Sequence, residues 1–217
     1  MNWHKLFFII SCLFFVTGFR TFFNKNQWNT FATPAAKTKL FVDYNKASQT
    51  VTNDLTEGDI LNGSSLTVEV IMDSIFDDYN NISASYIQLV DTDDSDYASE
   101  KEGRIITLRF GGASGANAGE AQLKTSGSTI NGCDITLEES LLDSAKDLIG
   151  VVTHELGHCV GLDHPQENVR AIMSYFSDPD DIRLKMDDKM GIIYLFPVDK
   201  AKASEKSTWG LSCSRSN

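Results

Sequence analysis

The strongest constraint on this chain is an eleven-residue stretch, His154 to His164, reading HELGHCVGLDH. His154 and His158 stand four residues apart. On an α-helix four residues advance about 400°, so both imidazoles leave one face, roughly 6 Å apart along the axis. Leu148, Val152, Leu156 and Cys159 share the opposite, apolar side, which predicts a helix packed on a sheet. Ser144 and Asp147 have capping-box spacing at its start. Gly161 stops it, because glycine enters the left-handed conformation at little cost. The reversal there swings His164 back toward the other two. Three imidazoles suit one Zn²⁺ and leave its fourth position open for water, the requirement for a catalytic zinc. Glu155 lies beside the ligand line, within reach of a metal-activated water as general base.

The sequence holds four His, and all but His4 fall inside this motif. One metal site therefore uses every histidine beyond the first 18 residues.

Around the motif, the pattern reads as a mixed α/β layout of five strands with helices on the sheet. Strands are expected at Lys39–Tyr44, Tyr86–Val90, around Ile106, Leu108 and Phe110, at Glu120–Lys124, and at Asp134–Leu137. Val68, Ile71, Met72, Ile75, Phe76 and Tyr79 recur at helical spacing, giving one amphipathic helix with Ser64 or Ser65 as N-cap. The metal-motif helix runs from about Ser144 to Val160. A last helix spans Met186–Leu195 and is closed by Pro197.

The N-terminus reads as a leader. Lys5 precedes the apolar run LFFIISCLFF, and Val16 and Gly18 are the small residues of a cleavage site. Cleavage after Gly18 makes residues 1–18 a signal peptide and the product secreted or extracytoplasmic; an uncleaved anchor is the rival. Residues 19–37 are expected to be a linker or short prosegment, 38–197 the catalytic domain, and 198–217 a polar tail. No other stretch is apolar enough to span a bilayer.

With 217 residues and 41% hydrophobic, the chain supports one ordinary core. The formal charge of −11 speaks against binding nucleic acid or an anionic membrane through bulk charge.

The extended motif HExxHxxGxxH resembles that of the metzincin metallopeptidases, and within them the matrixin and serralysin-like (peptidase M10-type) members. The segment Ala171–Tyr175, AIMSY, resembles their methionine turn. The resemblance implies that Met173 forms an apolar floor under the zinc histidines. It also implies that Tyr175 stands near the metal, able to ligate it and to stabilise an oxyanion. Pro165 looks serralysin-like, whereas Asp163 and the ending DDKMGIIYLFP look like matrixins. Three departures are visible. No matrixin-type cysteine switch lies upstream, no histidine remains for a second zinc site, and no glycine-rich calcium repeats follow.

The function implied is a secreted zinc-dependent endopeptidase; the rival is an inactive zinc-containing module that binds peptides. Protein or peptide substrates would lie extended in a cleft along Glu120–Lys124, adding a strand to the edge. Residues around Ser174–Asp178 are expected to line the pocket beside the scissile bond. A monomer is expected.

Two weaker signals remain. Cys159 faces the sheet and Cys133 opens the fifth strand, so a Cys133–Cys159 disulfide is geometrically reasonable. Cys133–Cys213 and buried free thiols stay open. Asp91, Asp93, Asp94, Asp96 and Glu102 match part of a Ca²⁺-loop count, but Asp96 stands where such a loop needs glycine. A solvated loop is the reading, with Ca²⁺ the alternative.

Overall fold

The structure, a computed structural model, describes residues 20–21, 27–28, 38–56, 61–92, 104–112, 118–165, 170–175 and 181–198. The leader, the tail, Cys213 and most of the acidic loop after Asp91 lie outside the described residues.

The chain begins with two short pieces, β1 (Arg20–Thr21) and β2 (Gln27–Trp28), followed by β3 (Thr38–Tyr44). A small hairpin, β4 (Thr50–Thr52) and β5 (Ser65–Thr67), leads into helix α1 (Val68–Asn80). Then come β6 (Ile87–Asp91), β7 (Ile105–Phe110), β8 (Gly119–Ser126) and β9 (Thr129–Leu137). A 3₁₀ turn at Glu139–Asp143 precedes α2 (Ala145–Val160), β10 (Leu162–Asp163) and α3 (Met186–Leu195).

Five strands of the main sheet run in the order β6-β3-β7-β9-β8, and the two-residue β2 joins it as a sixth against the start of β9. The first four run parallel, and β8 pairs antiparallel with β9 as an edge strand. Parallel neighbours need a crossover, and α1 supplies the one between β3 and β6. The result is the mixed α/β arrangement expected, with three helices among the described residues.

The predicted apolar face of α1 is the buried one: Val68, Ile71, Met72, Ile75, Phe76 and Tyr79. Its start differs from expectation. Ser65 is held in the β4–β5 hairpin, paired with Thr52, and the chain stays extended until Thr67. Thr67 is therefore the N-cap, with its hydroxyl accepting the Val70 N–H. The β8–β9 hairpin is also longer than predicted. Its turn is at Gly127, where φ is +61°. Gly132 lies within the strand, where a Cβ would approach the Ile105 carbonyl oxygen to 3.2 Å.

The packed unit also reaches upstream of residue 38. Trp28 is buried, and its strand pairs parallel with the start of β9. Its indole Nε1–H donates to the Cys159 carbonyl at 2.8 Å. That carbonyl is one of the last four of α2, which the helix itself cannot pair. Arg20–Thr21 pairs antiparallel with Leu162–Asp163, next to His164.

Candidate functional site

Helix α2 is fixed at both ends before any ligand is considered. At its start Ser144 accepts the Asp147 N–H at 3.0 Å and donates its own hydroxyl to Asp54 at 2.7 Å. Asp54 also accepts the Lys146 N–H at 3.0 Å, so two side chains satisfy donors that the first turn leaves open. At its end Gly161 has φ +112°, and its N–H bonds the Gly157 and His158 carbonyls. Tyr79 from α1 donates to the Thr153 carbonyl at 2.8 Å. Cys133 of β9 and Cys159 of α2 form a disulfide with Cα atoms 5.6 Å apart.

The three histidines converge. His154 and His158 project from α2, and the turn at Gly161 returns His164 to them. Nε2 of His164 lies 3.0 Å from Nε2 of His154 and 3.2 Å from Nε2 of His158. Nδ1 of His154 faces the Ile172 carbonyl at 2.8 Å, and Nδ1 of His158 faces the Leu162 carbonyl at 3.0 Å. A carbonyl oxygen only accepts, so each Nδ1 carries the proton and each Nε2 presents a bare lone pair.

Burial lowers the pKa of all three imidazoles, and His158 is taken to about 4 by burial and then by the neighbouring His154. The cluster is therefore neutral near pH 7. Converging lone pairs with too few protons to share are stabilised by a cation. Four-coordinate zinc with nitrogen bonds of about 2.0–2.1 Å sets its ligand nitrogens roughly 3.3 Å apart. The donor set and spacing fit that ion.

Glu155 is nearly fully buried, with 7% of its surface exposed. Burial raises its carboxyl pKa to about 7, with Glu120 adding to the rise and a hydrogen bond from the Ala121 backbone N–H opposing it. A bound cation would pull the value back down. The carboxylate thus sits beside the histidine cluster under the edge strand β8.

Met173 is buried and lies against α2 at Gly157, where a Cβ would come within 2.3 Å of its sulfur. The methionine packs into the gap that a glycine leaves between the two helical histidines. Tyr175 is 69% exposed, and its ring lies 4.0 Å from that of His164, tilted by 38°.

A cleft of about 950 Å³ joins these groups. Ala118 and the start of β8, Gly119 to Ala121, form one wall; His154, Glu155, His158 and His164 line its floor. Ile172, Ser174, Tyr175, Asp181 and Ile182 close the other side. Of the expected pocket segment, Ser174 and Tyr175 line the cleft, and residues 176–178 lie outside the described residues. Away from the histidines the cleft continues past Val151 and Gly150 to Asp147 and Lys146.

Asp188 and Gly157 escaped the sequence reading. Asp188 is buried and accepts the backbone N–H groups of Ile172 at 2.9 Å, Met173 at 3.2 Å and Lys185 at 2.8 Å. It ties the methionine segment to the first turn of α3. Its carboxyl pKa is raised by burial, with the three N–H donors opposing. The sequence signal was an acidic pair, Asp187-Asp188, at a helix start. Gly157 is the other; a glycine in a helix interior away from any stop was its signal.

The matrixin family model, Peptidase_M10, matches residues 73–197. No curated protein matches the chain. The matched span takes in the helix, all three histidines, the methionine segment and α3. Family and cluster point together to a zinc metallopeptidase that takes protein substrates. Matrixins are commonly extracellular, and no described helix is long and apolar enough to cross a membrane. With more than half its length matched, the chain belongs to the matrixin family.

Proposed function

We propose that this chain is a secreted zinc endopeptidase that hydrolyses peptide bonds within proteins. The carrying observation is the convergence of three Nε2 atoms beside a buried carboxylate under the edge strand β8. His154, His158 and His164 would hold the zinc through Nε2. Bound there, zinc supplies Lewis acidity, acidifying a water and polarising a carbonyl.

This chain's own residues do the remaining work. Glu155 accepts a proton on its carboxylate and returns it to the departing amine, a transfer suited to a group tuned toward neutral pH. The Ile172 and Leu162 carbonyls hold His154 and His158 in one tautomer. Tyr175, stacked on His164 and largely exposed, is free to swing and donate a hydrogen bond to the developing oxyanion. The free edge of β8 takes the substrate backbone as an added strand. Residues 1–18 would direct export and be removed, and the protein would act as a monomer.

The test is Glu155→Ala. The variant should bind zinc stoichiometrically and lose at least about 10²-fold in cleavage of casein or gelatin. A chelator should abolish wild-type cleavage, and zinc should restore it. Full activity in the variant would sink the mechanism, whereas zinc binding without any wild-type cleavage would favour a peptide-binding module.

A further inference from the structure

Gly119 opens β8, and no turn explains it. Its φ is not positive, so the backbone conformation admits any residue. Space alone selects glycine. A Cβ at this position would lie 2.8 Å from Val151 Cγ1, 3.0 Å from Glu155 Cγ and 3.0 Å from Leu137 Cδ2. Carbon atoms in contact sit about 3.5–4.0 Å apart, so a methyl group here must displace something by roughly 0.5–1 Å.

What it meets is informative. Leu137 is a buried core residue on the paired strand, directly opposite Gly119. Val151 and Glu155 lie on one face of α2, one turn apart. The bare α-carbon of Gly119 rests on the stem of the Glu155 side chain. Two residues along, on the same face of the strand, the Ala121 backbone N–H bonds the carboxylate. Together the two positions form a seat for the glutamate: one contact fixes the stem, the other the head.

We infer that Gly119 is a positioning residue for Glu155, holding the edge strand close enough to α2 to seat the carboxylate beside the three histidines. The inference rests on the proteolytic reading of this site. It gives β8 a second role beyond docking a substrate backbone, because the same strand sets the general base. A displacement of about 1 Å at a catalytic group costs on the order of 10²-fold in rate.

The test uses the full, zinc-loaded chain and Gly119→Ala. The kcat for peptide cleavage should fall about 10- to 100-fold, with KM within about threefold. Zinc content per folded molecule should match wild type, and kcat is compared per folded molecule. A crystal structure of the variant should show the Glu155 carboxylate displaced from its wild-type position. The pair Val151→Ala and Gly119→Ala/Val151→Ala relieves the closest contact, so the chain folds even if the single variant does not. The double variant should have at least about tenfold lower kcat than Val151→Ala alone.

An unchanged kcat would overturn the inference, as would a rise confined to KM or a loss of activity in proportion to lost zinc or lost fold. Wild-type protein that cleaves no peptide in a broad library would instead overturn the proteolytic reading. The position of Glu155 in the variant structure would still decide whether Gly119 seats it.

Discussion

At the scale of single residues, the site depends on side chains that are missing as much as on those present. Gly157 stands in a helix, where alanine is favoured by about 1 kcal/mol. Yet a Cβ there would approach the Met173 sulfur to 2.3 Å, and overpacking a buried site costs about 1–3 kcal/mol. Packing outweighs propensity. Gly157→Ala should therefore destabilise the protein by up to about 2 kcal/mol in urea unfolding and weaken zinc binding, read by competition with a chromogenic chelator. A gain in stability would show that Met173 repacks freely. The three clustered histidines were legible because their spacing is set by helix geometry and one glycine stop. Gly119, Gly157 and Asp188 were not, because their roles come from partners distant in sequence: Val151 and Glu155, Met173, and the N–H groups of Ile172 and Met173.

At the scale of elements, α2 carries most of the function, and its surroundings fix it from several sides. The Cys133–Cys159 disulfide joins its last turn to β9 across 26 residues of sequence. Closing a loop of that size in the unfolded chain stabilises the fold by about 3.5 kcal/mol on the chain-entropy estimate. The double variant Cys133→Ala/Cys159→Ala should lose on the order of 2–4 kcal/mol in chemical unfolding, with the zinc site populated in the molecules that remain folded. A loss below about 0.5 kcal/mol would mean that the buried sulfurs act only as packing. Helices and strands with strong periodicity were readable: α1, α3 and β3 lie where the pattern put them. Boundaries governed by pairing were not. Ser65 looks like a cap in sequence but is claimed by the β4–β5 hairpin, and β9 starts at Thr129 rather than Asp134 because it pairs with β8 through a register shift that skips Asn131.

At the scale of the whole molecule, the charge of −11 has a local expression on α1. Asp73 has its carboxyl pKa raised above the usual 3.8 by burial first, then by Glu69, Asp91 and Asp77. A raised acid pKa means the folded chain holds that proton more tightly than the unfolded one. Ionising Asp73 therefore disfavours the fold; the cost is absent below the unfolded pKa and complete above the folded one. Asp73→Asn should raise stability at pH 7 by up to about 1 kcal/mol, given how open the group is to solvent. The gain should vanish near pH 3. Thermal unfolding at both values checks this, and an equal gain at both would remove the charge explanation.

The buried indole of Trp28 has an optical consequence. Of the three tryptophans in the sequence, Trp3 lies in the proposed leader and Trp209 in the tail. Trp28 alone is buried among the described residues, with its N–H on the last turn of the helix that bears His154 and His158. Its emission should be blue-shifted and should move to the red when the segment before β3 leaves the sheet. The protein thus carries an intrinsic fluorophore wired to the end of the helix that presents two of the clustered histidines. Undocking of the upstream segment, or fraying of that helix, could be followed in real time without any label.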